Sequence, residues 1–151
     1  MLFLLMAPVP APVTLSAQAG QTVTLTVRLP APDSGVLLNR GAPNSLILKT
    51  PWGQWKKSPS GRPFVNGGAE FSGYFGQVHP VILRFKVPAG TPPGPHNAQL
   101  ALQLFTCNRQ EKLCQQKDLT YPVTIQVGDR QQAGRLDVPA AALRRPLKPG
   151  G

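Results

Sequence analysis

Between Ala98 and Val127, two alternating runs flank the only two cysteines of the chain, Cys107 and Cys114. In an antiparallel pair the numbers of opposed residues add to a constant. Placing Cys107 opposite Cys114 then pairs Leu102 with Leu119, Leu100 with Tyr121 and Ala98 with Val123, all apolar and all on one face. The other face pairs Phe105 with Gln116, Gln103 with Asp118 and Ala101 with Thr120, and it carries both cysteines. A slip of one residue would scramble this sorting, because side chains alternate with period two. Hydrophobic pattern and cysteine spacing therefore agree on one hairpin. Its opposed Cα atoms lie about 4.5–5.5 Å apart, within disulfide range. The expectation is a bridge near the hairpin tip, on the solvent side of the sheet.

The rest of the chain favours strands over helices. Its 18 prolines and 15 glycines cut it into short runs rich in Val, Thr, Leu and Gln. Gln21 to Leu29 sets Val23, Leu25, Val27 and Leu29 on one face against Thr22, Thr24, Thr26 and Arg28 on the other. Val81, Leu83, Phe85 and Val87 make a second clean alternation, and Ser45 to Lys49 a shorter one. Pro51 to Pro63 reads as a long irregular connection whose two tryptophans, Trp52 and Trp55, cover the edge of the core. Six to eight strands with turn signals between them predict a β-sandwich, with an open barrel as the alternative that pattern does not separate. Residues 1–12 read as a leader or truncated signal segment, 13–128 as the β-domain, and 129–151 as a basic, Pro/Gly-rich mobile tail. Asp137 to Leu143 holds either a helical turn or an added edge strand.

The formal net charge is +10, yet no run joins basic residues to regularly spaced aromatics, so a nucleic-acid partner is not expected. Five of the sixteen basic residues follow Gly128 and the rest are scattered. Peripheral contact with an anionic membrane surface fits such a balance. His79 and His96 stand apart, and neither they nor the two cysteines have zinc-site spacing. There is no Cys-x-x-Cys pair, phosphate loop, nucleophile elbow or carboxylate dyad, so no metal and no cofactor is expected.

The N-terminal Met1-Leu-Phe-Leu-Leu-Met-Ala-Pro-Val-Pro lacks a basic start. A truncated signal peptide, a clipped anchor and a hydrophobic first strand compete for it, and the first is favoured. It agrees with an oxidising, extracytoplasmic compartment for a two-cysteine β-domain.

The bridge itself has two readings. It closes a loop of about eight residues and so contributes roughly 2–2.5 kcal/mol by chain entropy, less than a long loop gives. That contribution suits a plain staple in an exported domain. Exposure and the nearby Arg109 and Lys112, opposed by Glu111, suit a bond that is made and broken. Phe71, Tyr74 and Phe75 lie among Gly67, Gly68, Gly73 and Gly76, where they form either a movable lid or a filling for the sandwich end.

From Tyr74 to Val127 the chain resembles the N-terminal periplasmic domain of DsbD-type thiol–disulfide interchange proteins. The matching order is Tyr74-Phe75-Gly76, a strand over Val81–Val87, a Pro/Gly turn, a strand into Cys107, a short loop, and Cys114 leading to Tyr121-Pro-Val-Thr-Ile-Gln-Val127. The resemblance implies an all-β, immunoglobulin-like antiparallel β-sandwich with a cysteine-bearing hairpin. It implies that Cys107 and Cys114 relay electrons by mixed-disulfide exchange with a thioredoxin-like partner, as a thiol–disulfide oxidoreductase of the periplasm. It also implies a cap-loop aromatic over the pair, Phe75 or Tyr74, with Phe71 third. The domain is expected to act as a monomer. The alternative is a non-enzymatic β-sandwich binding or assembly module whose disulfide is structural.

Overall fold

The computed structural model describes residues 13–64, 72–108 and 113–144. The leader segment, Phe71, Glu70 and the hairpin residues Arg109, Glu111 and Lys112 lie outside these. Among the described residues there are eleven strands, one short α-helix and a single 3-10 turn at Pro32–Ser34, arranged as a β-sandwich.

The cleanest alternations form the smaller layer. Strand β2 (Thr22–Arg28) pairs antiparallel with β8 (Val81–Lys86), which sets Val23 against Phe85, Leu25 against Leu83 and Val27 against Val81. All six face inward and are buried. The threonines of β2 and Arg84 and Lys86 of β8 face out, as β-branched and charged residues suit a half-buried sheet.

The larger layer runs β1 (Val13–Ala17), β10 (Cys114–Val127), β9 (Gly94–Asn108), β4 (Ser45–Thr50) and β5 (Gly53–Lys57). A short strand β3 (Val36–Leu38) lies beside the cysteine end of β9. The β9–β10 register is the one the hydrophobic sorting dictates, from Cys114 opposite Cys107 to Val123 opposite Ala98. At one corner Trp55 of β5 meets Phe85 of β8 with ring centroids 5.1 Å apart. Both tryptophans are partly buried against the core, as expected of edge covers.

The structure differs from the sequence expectation in three places. Pro51 to Pro63 is not irregular, because it contains β5 and β6 (Gly61–Pro63). Its polar, Lys- and Gly-rich composition hid edge strands, which bury only part of one face. Second, the sandwich is not purely antiparallel. β1 runs parallel to β10, and β11 (Gly134–Asp137) runs parallel to β2.

Third, residues 129–144 belong to the fold and not to a tail. β11 and helix α1 (Ala140–Arg144) bring Leu136, Val138 and Leu143 into the core. Both alternatives for Asp137 to Leu143 are therefore realised in part, with the strand just before and the helix at the end. Gly134 is required where β11 closes against β1, since a Cβ there would overlap the side chain of Leu15.

A third, two-stranded sheet pairs β6 with β7 (Phe75–Val78), with a register shift at Arg62/Pro63. It delivers Phe75 to the core and leaves Tyr74 at the hairpin tip. No helix among the described residues is long and apolar enough to cross a membrane.

Candidate functional site

Cys107 and Cys114 form a disulfide across β9 and β10, with Cα atoms 3.9 Å apart. Both side chains lie on the outer face of the larger sheet, as the alternation requires. Their exposure is unequal, however. Cys114 is exposed, whereas Cys107 retains only 5% of its surface. The expectation that both sulfurs face solvent is thus corrected for Cys107, which is covered from the β3 side.

The cover is Tyr74. Its hydroxyl donates a hydrogen bond to Sγ of Cys107 at 3.2 Å and stands 3.8 Å from Sγ of Cys114. Phe75, the next residue, points the other way and is buried in the core cluster. Adjacent residues of an extended chain face opposite sides, so only one of the two can cap. Of the three predicted cap aromatics, the structure therefore brings Tyr74 to the disulfide and removes Phe75 from it.

Polar anchors that the sequence reading passed over hold Tyr74 in place. Asn39 bridges to Tyr74, and the Arg40 amide donates to the Gly73 carbonyl at 2.9 Å. The Arg40 guanidinium donates to the Ser72 carbonyl at 3.0 Å. This turn is tied in its own right to β9. The Asn39 amide donates to the Phe105 carbonyl at 2.9 Å, and the Phe105 amide donates to Oδ1 of the buried Asn44 at 2.8 Å. Asn44 also donates to the Asn39 carbonyl at 2.6 Å, so its amide group is satisfied on both sides. Asn39-Arg-Gly-Ala-Pro-Asn44 carries an evident turn signal. That signal marks a turn without saying which backbone it will bind.

Beside the bridge lies an open groove of about 270 Å³, lined by Asn39, Phe105, Thr106, Gln115 and Gln116 together with the two cysteines. Its walls are uncharged. The basic residues Arg28, Arg84, Lys86 and Arg135 project instead from the outer face of the opposite sheet. Among the described residues no cluster of His, Cys, Asp and Glu could hold a metal.

One charged group sits behind the site. Lys117, opposite Leu104 on the core side of β10, is only 4% exposed. No fully buried side-chain nitrogen or oxygen among the described residues lacks a partner, so its stem is covered while the ammonium reaches water. Desolvation by burial holds its pKa below the usual lysine range.

The sign follows from proton linkage. Near neutral pH the folded state carries the penalty of the charged form. As pH rises through the lowered folded pKa towards the ordinary value of about 10.4, the unfolded chain binds more protons and stability rises. Lys117→Met is expected to gain stability at neutral pH, and the gain shrinks as pH approaches about 10. Urea midpoints of both proteins at neutral and alkaline pH check this. Tyr121, whose pKa burial raises, acts alike in both proteins.

No protein-family model matches the chain, and no curated protein is detectably similar to it.

Proposed function

We propose that this domain is an extracytoplasmic thiol–disulfide interchange module that passes electrons through Cys107–Cys114 to and from a thioredoxin-like dithiol protein. The observation that carries the reading is the unequal treatment of the two sulfurs. Cys114 is exposed, and Cys107 is buried under a hydroxyl donor at 3.2 Å. An incoming thiolate reaches Sγ of Cys114, the S–S bond breaks, and Cys107 leaves as a thiolate. The Tyr74 hydroxyl is placed to donate to that thiolate, and a hydrogen bond to the charged form favours it. A second thiolate of the partner then attacks the partner's own bridged sulfur and releases Cys114. The partner dithiol is oxidised to a disulfide, and the cysteine pair takes up the two electrons.

The resemblance of the stretch from Tyr74 to Val127 to DsbD-type N-terminal domains favours the same reading and a periplasmic setting. So does energetics. The core cluster closes without either cysteine, and a loop of about eight residues gives the bridge only some 2.5 kcal/mol. The burial of Cys107 also favours a second reading, a structural bridge that pins the hairpin of a binding module.

The test is the rate at which a reduced thioredoxin-like protein opens the bridge, followed by thiol alkylation and mass. Full reduction is expected with the fold retained by circular dichroism. Tyr74→Phe is expected to slow it about three- to tenfold, the loss of one hydrogen bond of roughly 0.5–1.5 kcal/mol to the leaving sulfur. A folded domain whose bridge resists the dithiol rules the proposal out.

A further inference from the structure

The outer face of the smaller sheet has a character of its own. It presents Thr22, Thr24, Thr26 and Arg28 on β2, Ile82, Arg84 and Lys86 on β8, and Arg135 and Asp137 on β11. Pairing sets Arg135, Thr26 and Ile82 in one row across the three strands, with Arg84 beside Thr24 and Lys86 beside Thr22. Strands about 4.8 Å apart, with a rise of about 3.3 Å per residue, give a patch roughly 10 Å by 20 Å.

Four cations and one carboxylate leave this patch with a net positive charge. The carboxylate is already engaged, because Asp137 accepts from Arg135 at 3.2 Å. Arg28, Arg84 and Lys86 are exposed, and none of them makes an ion pair among the described residues. The sequence holds no counter-charge for them either. Between Asp33 and Asp118 no described residue is acidic. Outside the described residues, 1–12 carries no charge and 65–71 only Glu70, while 109–112 and 145–151 are both net positive. No segment of this sequence carries enough negative charge to neutralise the patch.

We propose that this face docks on an anionic lipid bilayer, with Arg28, Arg84, Lys86 and Arg135 at the headgroup phosphates and Ile82 between them. Three features favour a bilayer over a nucleic acid. A broad sheet face meets a plane, whereas a duplex is read by an element that enters a groove. The face holds no aromatic side chain on which bases could stack. Ile82, 42% exposed, stands within the patch, one of two exposed large apolar side chains among the described residues. Beside cations it gains nothing from phosphates alone, but it loses water on entering a headgroup layer.

Such docking leaves the disulfide free. Cys107 and Cys114 lie on the outer face of the larger sheet, the opposite side of the sandwich, and so face the aqueous phase. The inference stands whether the bridge is exchanged or structural.

Sedimentation of the full chain with phosphatidylglycerol vesicles and with phosphatidylcholine vesicles tests the docking. Binding to the first is expected, well above binding to the second, and it weakens as added salt shortens the Debye length. Each cation at an anionic surface contributes about fivefold in affinity, so Arg84→Gln with Lys86→Gln is expected to lower it about 25-fold. Lys49→Gln with Lys56→Gln removes the same charge from exposed positions on the outer face of the larger sheet and is expected to change it little. Ile82→Thr is expected to cost about three- to tenfold. On the unaltered protein bound to vesicles, an amine-reactive reagent is expected to label Lys49 and Lys56 and to spare Lys86. That footprint decides if a variant fails to fold. Equal losses from the two double variants overturn the proposal, since net charge alone would then draw the protein to the lipid. Equal binding to both kinds of vesicle, or Lys86 labelled as fast as Lys49, overturns it as well. So does a DNA duplex that displaces the vesicles and whose binding falls with Arg84→Gln and Lys86→Gln but not with Ile82→Thr, because the face would then belong to nucleic acid.

Discussion

Cys107→Ser is expected to couple rapidly to a single-cysteine thioredoxin-like partner activated as its thionitrobenzoate mixed disulfide, and Cys114→Ser to couple slowly. The first variant retains the exposed sulfur and the second retains the buried one. In each case the free thiolate attacks the activated sulfur and releases thionitrobenzoate, whose absorbance reports the rate. Cys107 can react only after the Tyr74 turn opens, and that turn is held by the Asn39 bridge and two Arg40 hydrogen bonds. A local opening of about 2–3 kcal/mol, at a factor of ten for each 1.4 kcal/mol, slows Cys107 on the order of a hundredfold. Tyr74→Ala in the Cys114→Ser background is expected to restore most of that rate. Equal coupling by both single-cysteine variants contradicts the asymmetry on which the mechanism stands.

Ending the chain after Gly128 is expected to lower the melting temperature by about 10–20 °C, because it deletes a strand and three core side chains. Leu136, Val138 and Leu143 are all buried, and β11 is the only strand beside β2 opposite β8 among the described residues. Burying such side chains contributes about 1.5–3 kcal/mol each, of which part is recovered in the chain entropy no longer lost on folding. The exposed ion pair Arg135–Asp137 at 3.2 Å adds little. Thermal unfolding by circular dichroism measures the shift. A truncated domain that melts with the full chain returns residues 129–144 to the status of a tail.

What the sequence disclosed was whatever alternation could carry. Val23, Leu25 and Val27, and again Val81, Leu83 and Phe85, occupy the inner face because both strands have one wet and one dry side. The cysteine pairing was legible for a further reason, since a staple and a hydrophobic sorting had to share one register. Short strands were not legible. Gly61–Pro63 and Phe75–Val78 each pair with one neighbour and carry too few residues for a period to show. Leu136 and Val138 were overlooked because the Arg- and Gln-rich composition around them resembles solvated chain.

The choice between Tyr74 and Phe75 as cap needed coordinates for a similar reason. Each has an aromatic ring, and only the phase of β7 decides which one faces the core. The burial of Cys107 is equally a tertiary fact. It depends on a turn more than 30 residues earlier, bound through Asn39, Arg40 and Asn44.

The central claim is that the bond between the two cysteines is in exchange with a thiol pool and is not there to hold the sandwich together. Equilibrium titration of the protein in glutathione and dithiothreitol redox buffers, with folding followed in the same samples, measures this directly. The account predicts a midpoint well above about −300 mV, the upper range of structural bridges, with the β-sheet spectrum unchanged on reduction. A midpoint below that value, or loss of the folded signal as the bond opens, would contradict it.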